Sequence, residues 1–74
     1  MKNVDRIQPL RIDIDREEDG RFLASLPDLP GVMAYGETQA EATRKAKSVA
    51  LQVLADMLES GEAVPAPLNF LFAA

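Results

Sequence analysis

The chain has 74 residues, 8 basic and 12 acidic, for a formal net charge of -4, and it contains neither histidine nor cysteine. A chain this short makes one domain and buries only about 60% of its unfolded surface, so a single small core is all it can build. Without histidine and cysteine it lacks the commonest general base, a disulfide framework and a cysteine zinc site, and its charge is the wrong sign for a sequence-independent phosphate binder.

The first ten residues, MKNVDRIQPL, lack the continuous apolar core of a signal peptide, and no run reaches the ~20 apolar residues that span a bilayer. A cytoplasmic protein with no membrane association is expected. LRIDIDR then alternates strictly, with Leu10, Ile12 and Ile14 on one face and Arg11, Asp13 and Asp15 on the other. Period two predicts a half-buried strand. The loop EEDG ends in Gly20, which can adopt positive φ, and RFLASL follows with Phe22, Ala24 and Leu26 on a common face. The two strands form a hairpin. The acidic run Asp13, Asp15, Glu17, Glu18 and Asp19 reads as a solvated hairpin tip, or as an acidic patch for a cationic partner.

Pro27 and Pro30 cannot donate ladder hydrogen bonds, so strand two should end near Leu26, and Pro27, Asp28, Leu29, Pro30 and Gly31 should turn the chain. VMAY is a third short strand closed by Gly36, with Met33 and Tyr35 opposite Val32 and Ala34. Short links between sequential strands imply an antiparallel meander, with the order in the sheet left open.

From Thr38 the period changes. Thr38 and Glu41 have the T-x-x-E spacing of a capping box, in which the hydroxyl accepts from the Glu41 amide and the carboxylate reaches back to the cap amide. Ala42, Ala46, Val49, Ala50, Val53 and Met57 form one stripe and Gly61 is a stop signal, which predicts a helix over 39–60. The alanines let the helix lie close to the sheet, while Val53 and Met57 fill the wider far end. Leu51 and Leu58 project about 150° from the stripe centre at 100° per residue. They need cover from the chain's own tail or from a partner. Two prolines follow the helix, and LNFLF, residues 68–72, is long enough for a final strand. The fold class is therefore α+β in the order β-β-β-α-β, a small antiparallel-rich sheet with one helix packed on one face and no linker dividing residues 1–74. Its open sheet edges and uncharged tail predict a homo-oligomer, a dimer or larger.

Candidate chemistry is confined to carboxylates: Asp13 and Asp15 on a strand, Asp28 in the turn, Glu37 and Glu41 near the helix start. Paired carboxylates can hold Mg²⁺ or share a proton. Asp13 and Asp15, however, share the solvated face with Arg11, so neither a metal nor another cofactor is expected. No phosphate-binding glycine motif or nucleophile elbow occurs, and Ser25, Ser48 and Ser60 have no histidine to activate them. Arg44, Lys45 and Lys47 cluster early in the helix, but Glu37 and Glu41 lie close by and aromatics are few, which argues against nucleic-acid binding.

The spacing of Gly20, Pro27, Asp28, Leu29, Pro30, Gly31, Gly36, Thr38, Glu41, Ala42, Gly61, Pro65 and Pro67 resembles the HicB antitoxin family, across residues 15–67. The family pattern is a hairpin glycine, P-D-L-P-G, G-[DE]-T, E-A and an amphipathic helix ending in E-x-G-x-x-x-P-x-P. The resemblance implies a partial RNase H-like fold. It also implies a non-enzymatic antitoxin that neutralises a small basic HicA-type mRNA-cleaving toxin by covering its active-site histidine. Partner contacts are then expected from Asp13, Asp15, Glu17, Glu18, Asp19, Met33, Tyr35, Leu51 and Leu58. Two departures stand out: Val32 occupies a position where the family often has cysteine, and the chain stops at Ala74, whereas many members carry a C-terminal DNA-binding domain. Autoregulatory DNA binding is therefore not carried over. Two alternatives are an orphan HicB-like homo-oligomeric structural or regulatory module with no toxin, and a carboxylate-metal nuclease dependent on Asp13 or Asp28.

Overall fold

The computed structural model describes residues 10–64. Within them lie β1 (Asp13–Arg16), β2 (Phe22–Ser25), β3 (Met33–Gly36) and α1 (Gln39–Ser60). The strands form an antiparallel meander in the order β1-β2-β3. Ile14, Ala24 and Ala34 lie in one row across the sheet, on the face toward the helix, flanked by the rows Asp13–Ser25–Met33 and Asp15–Leu23–Tyr35 on the outer face. The expected final strand at residues 68–72, with Pro65 and Pro67, lies outside the described residues.

Each strand is shorter or shifted relative to the apolar pattern. Leu10 and Ile12 precede β1 yet still pack against the core. Leu26 lies past β2, where its amide donates to the Val32 carbonyl at 3.1 Å and carries the pairing to the neck of the loop. At the other end, β3 runs through Gly36 rather than stopping before it. A side chain there would collide with the start of the helix, since an added Cβ would sit 2.8 Å from the Ala42 Cα and 2.9 Å from the Glu41 carbonyl carbon. Gly36 is thus the point of closest approach between sheet and helix.

The helix bounds agree with the sequence reading. Thr38 is the cap and its hydroxyl accepts from the Glu41 amide at 3.0 Å. The reciprocal half differs from the expected box: Glu41 Oε1 accepts from the Glu37 amide at 2.6 Å, one residue before the cap, because the turn leaving β3 aims that donor at the helix. At the far end Gly61 is left-handed at φ 79°, with its amide bonded to the Leu58 carbonyl and the Glu62 amide to the Met57 carbonyl. This paired reversal satisfies two otherwise orphaned carbonyls.

The core consists of Ala24, Leu26, Leu29, Val32, Ala42, Ala46, Ala50 and Leu54. Two of these correct the sequence reading. Leu54 is buried where Val53 and Met57 are only half-buried, because steps of four residues from Ala42 through Ala46 and Ala50 lead to it. Leu29 is buried although it sits between prolines in the loop. Two successive turns, closed by the Leu29 amide on the Leu26 carbonyl and the Val32 amide on the Leu29 carbonyl, at 3.0 Å each, fold it back under the helix. A third correction concerns Ile14, which is 37% exposed despite its core-face position, because α1 packs chiefly over β3 and β2.

Candidate partner-binding surfaces

Alternation along the strands sends Asp13, Asp15, Leu23, Ser25, Met33 and Tyr35 to the face turned away from the helix. Met33 and Tyr35 are 49% and 42% exposed there, with half-buried Leu23 beside Tyr35. An apolar strip of this kind on an otherwise charged sheet face is a candidate contact surface.

Charge surrounds the strip. Arg11 Nε lies 3.1 Å from Asp13 Oδ1. At the hairpin end Arg21 Nε lies 2.8 Å from Asp19 Oδ2, the Arg21 amide donates to Asp19 Oδ1 at 3.0 Å, and the guanidinium sits 4.3 Å from the Tyr35 ring centroid. The Arg21 amide, and then its guanidinium, hold the Asp19 carboxyl below its ordinary range, while Asp19 raises the Arg21 pKa. The acidic run is therefore divided. Asp13 and Asp15 lie on the face, whereas Glu17 closes the hairpin through its backbone, its amide donating to the Arg21 carbonyl at 2.7 Å and its carbonyl accepting from Gly20. Glu18 and Asp19 stand exposed at the tip. Among the described residues Asp15, Glu17 and Glu18 have no ion-pair partner.

Leu51 and Leu58, grouped with these residues by the sequence reading, lie on the other side of the sheet, and Leu51 is 68% exposed. Leu51 borders two adjoining hollows between α1 and the β1 side of the sheet. One, of about 740 Å³, has Ile14, Arg44 and Lys47 in its walls, and the other, of about 260 Å³, is almost wholly apolar, with Leu10, Ile12 and Leu54. The basic cluster is also split, since Arg44 and Lys47 rim this groove while Lys45 reaches Glu41 at 3.5 Å. The Glu37 amide, and then Lys45, hold the Glu41 carboxyl below its ordinary value.

The sequence reading did not include Arg21 or Leu23 among the contact residues, although the alternation of RFLASL already sets them on the face of Ser25. Among the described residues no three acidic side chains converge as a metal site would require, and no helix is long and apolar enough to cross a membrane.

Three meandering strands packed on one side by a capped helix, with no element on the other side among the described residues, define a small α+β domain. The chain belongs to the HicB-like antitoxins: the family described as "HicB_like antitoxin of bacterial toxin-antitoxin system" matches residues 10–71. Membership makes it an antitoxin-family protein and implies a toxin partner. No match is found among curated proteins or among solved structures.

Proposed function

We propose that this chain is the antitoxin of a HicA/HicB-type pair. It neutralises a small basic mRNA-cleaving ribonuclease stoichiometrically, by covering the toxin's active site, and catalyses nothing itself. The observation that carries this reading is the outer sheet face, where exposed Met33 and Tyr35 lie in line with Asp13 and Asp15 on a chain of net charge -4, with Asp19 at the hairpin tip beyond them. Charge complementarity accelerates encounter with a basic protein, and the buried apolar contacts set the lifetime of the complex. Glu17 and Glu18 extend the same field at the hairpin end. The action is cytoplasmic, where mRNA is found.

The test is co-expression with the small basic, histidine-containing reading frame adjacent to this gene. Rescue of growth by the wild-type chain, and loss of rescue with Met33→Asp/Tyr35→Asp, is the expected outcome. Failure of any neighbouring basic protein to bind would overturn it.

A homo-oligomer is the companion proposal, and as an orphan regulatory module it is also the second reading. It is favoured by exposed Leu51 and Leu58 and by β1 and β3, each paired on one side only among the described residues. Sedimentation of Leu51→Glu/Leu58→Glu should show a smaller species than the wild type. Unchanged assembly would move the interface to the strand edges.

A further inference from the structure

We infer that the Tyr35 ring and the Asp19 carboxylate form a seat for a guanidinium presented by the basic partner, and that Arg21 occupies this seat as a stand-in in the free protein. The inference rests on the antitoxin reading for the partner's basic character and on local geometry for the seat.

A planar cation stacked on an aromatic face while its edge bonds a carboxylate is the arrangement by which proteins recognise arginine. Here it is made internally, with the guanidinium 4.3 Å from the Tyr35 centroid and 2.8 Å from Asp19. Both contacts face solvent, the Arg21 and Asp19 side chains being 44% and 54% exposed. Exposed ion pairs hold weakly, so the occupant is exchangeable.

The fold does not depend on the Arg21 side chain. The hairpin is closed by backbone bonds from Glu17 to Arg21 and from Gly20 to Glu17, and the Arg21 amide bonds Asp19 whatever side chain it carries. Register is set by the facing of Leu23 with Tyr35 and Phe22 with Gly36. Beside the seat is a depression of about 310 Å³ with Tyr35, Glu37, Glu41 and Lys45 in its walls. Glu41 is committed to the Glu37 amide and to Lys45, which leaves Asp19 and Glu37 as the carboxylates an arriving cation meets. Tyr35 is also one of the two exposed apolar residues of the open face, so a cation seated here arrives together with contact at Met33. The internal arginine acts as a filter: a stray cation must displace it unaided, whereas one delivered by a shape-matched surface gains the apolar contact as well.

The experiment measures affinity for the neighbouring basic toxin by calorimetry with Arg21→Gln and with Arg11→Gln, which removes the same charge and likewise frees an aspartate on the same face. Arg21→Gln should tighten binding ~3- to 10-fold more than Arg11→Gln, as expected from vacating one exposed cation–π contact and one exposed ion pair. The excess should vanish in a Tyr35→Leu background. Equal tightening by the two variants, or weakening by Arg21→Gln, would overturn the seat. If the wild-type chain does not bind the toxin, the antitoxin reading fails while the seat stays testable. A ¹⁵N-edited titration with hexa-arginine peptide should then shift the Asp19 and Tyr35 amides more in Arg21→Gln than in the wild type, and equal or smaller shifts would refute it.

Discussion

The two faces of the sheet are made from alternate residues of the same short strands, yet they are built on different rules. The inner face uses Ala24 and Ala34 against Ala42, Ala46 and Ala50, with glycine at the tightest point, so that helix and sheet meet at short range. Small side chains leave little slack, and the volume is supplied from the margins by Leu26, Leu29, Val32 and Leu54. The outer face carries two large residues, Met33 and Tyr35, exposed among charges. The contrast sets the residues that make the domain against those proposed to meet a partner.

Substitutions should divide along the same line. The largest effects on stability are expected at the inner margins: Leu54→Ala and Leu29→Ala should each cost about 3 kcal/mol in chemical denaturation, by lost burial plus a cavity in a small core. Next comes Gly36→Ala, where one methyl group against the Ala42 backbone should cost about 2 kcal/mol by forcing helix and strand apart. A tolerant Gly36 would show that the close approach does not set the packing distance. Equal tolerance at Leu29 would reduce its loop to a passive connection.

The helix start should respond less. Thr38→Ala should cost about 1 kcal/mol through the lost cap. Glu41 adds a pH-dependent contribution. Its folded pKa lies below the ordinary glutamate value of about 4.3, so the stability it confers is complete above that value and is lost as pH falls through the lower folded pKa. Glu41→Gln should therefore flatten the acid limb of the stability profile and leave its neutral dependence unchanged; an unaltered acid limb would contradict the Glu41 carboxylate bond. The smallest effects are expected on the outer face. Met33→Ser and Tyr35→Ser should each change stability by about 0.5 kcal/mol while abolishing growth rescue by the antitoxin. Loss of both folding and rescue would erase the distinction between the faces.

What was legible in the sequence follows from how local each signal is. The helix limits were readable because Thr38, Glu41 and Gly61 act within one turn of the ends they mark. The meander was readable from alternation and from three breaks at glycine and proline. Strand ends depend on a partner strand's register, so Leu10, Ile12 and Leu26 were included in strands that stop short of them. Leu29 was hidden because prolines on both sides read as punctuation, whereas its burial comes from two successive turns that only the folded loop displays. Ile14 looked like a core residue because nothing along the chain says which strands a helix will cross. On the partner side, alternation sufficed to put Met33, Tyr35, Asp13 and Asp15 on one face. The separation of Leu51 from them, and the meeting of Arg21 with Tyr35, required the third dimension.

The loop around Leu29 bears on the order of folding events. Its bonds join residues no more than six positions apart, from Leu26 to Val32, and it connects two strands whose pairing spans Phe22 to Gly36. Such short loops close with little entropy to overcome, whereas seating Leu54 requires the helix to return over β3 and β2. The β2–loop–β3 unit is therefore expected to assemble before the helix docks, with the buried leucine waiting as a preformed half of the contact. Amides of Val32 and Leu26 should accordingly be among the last to exchange with solvent, although they sit at the neck of a loop.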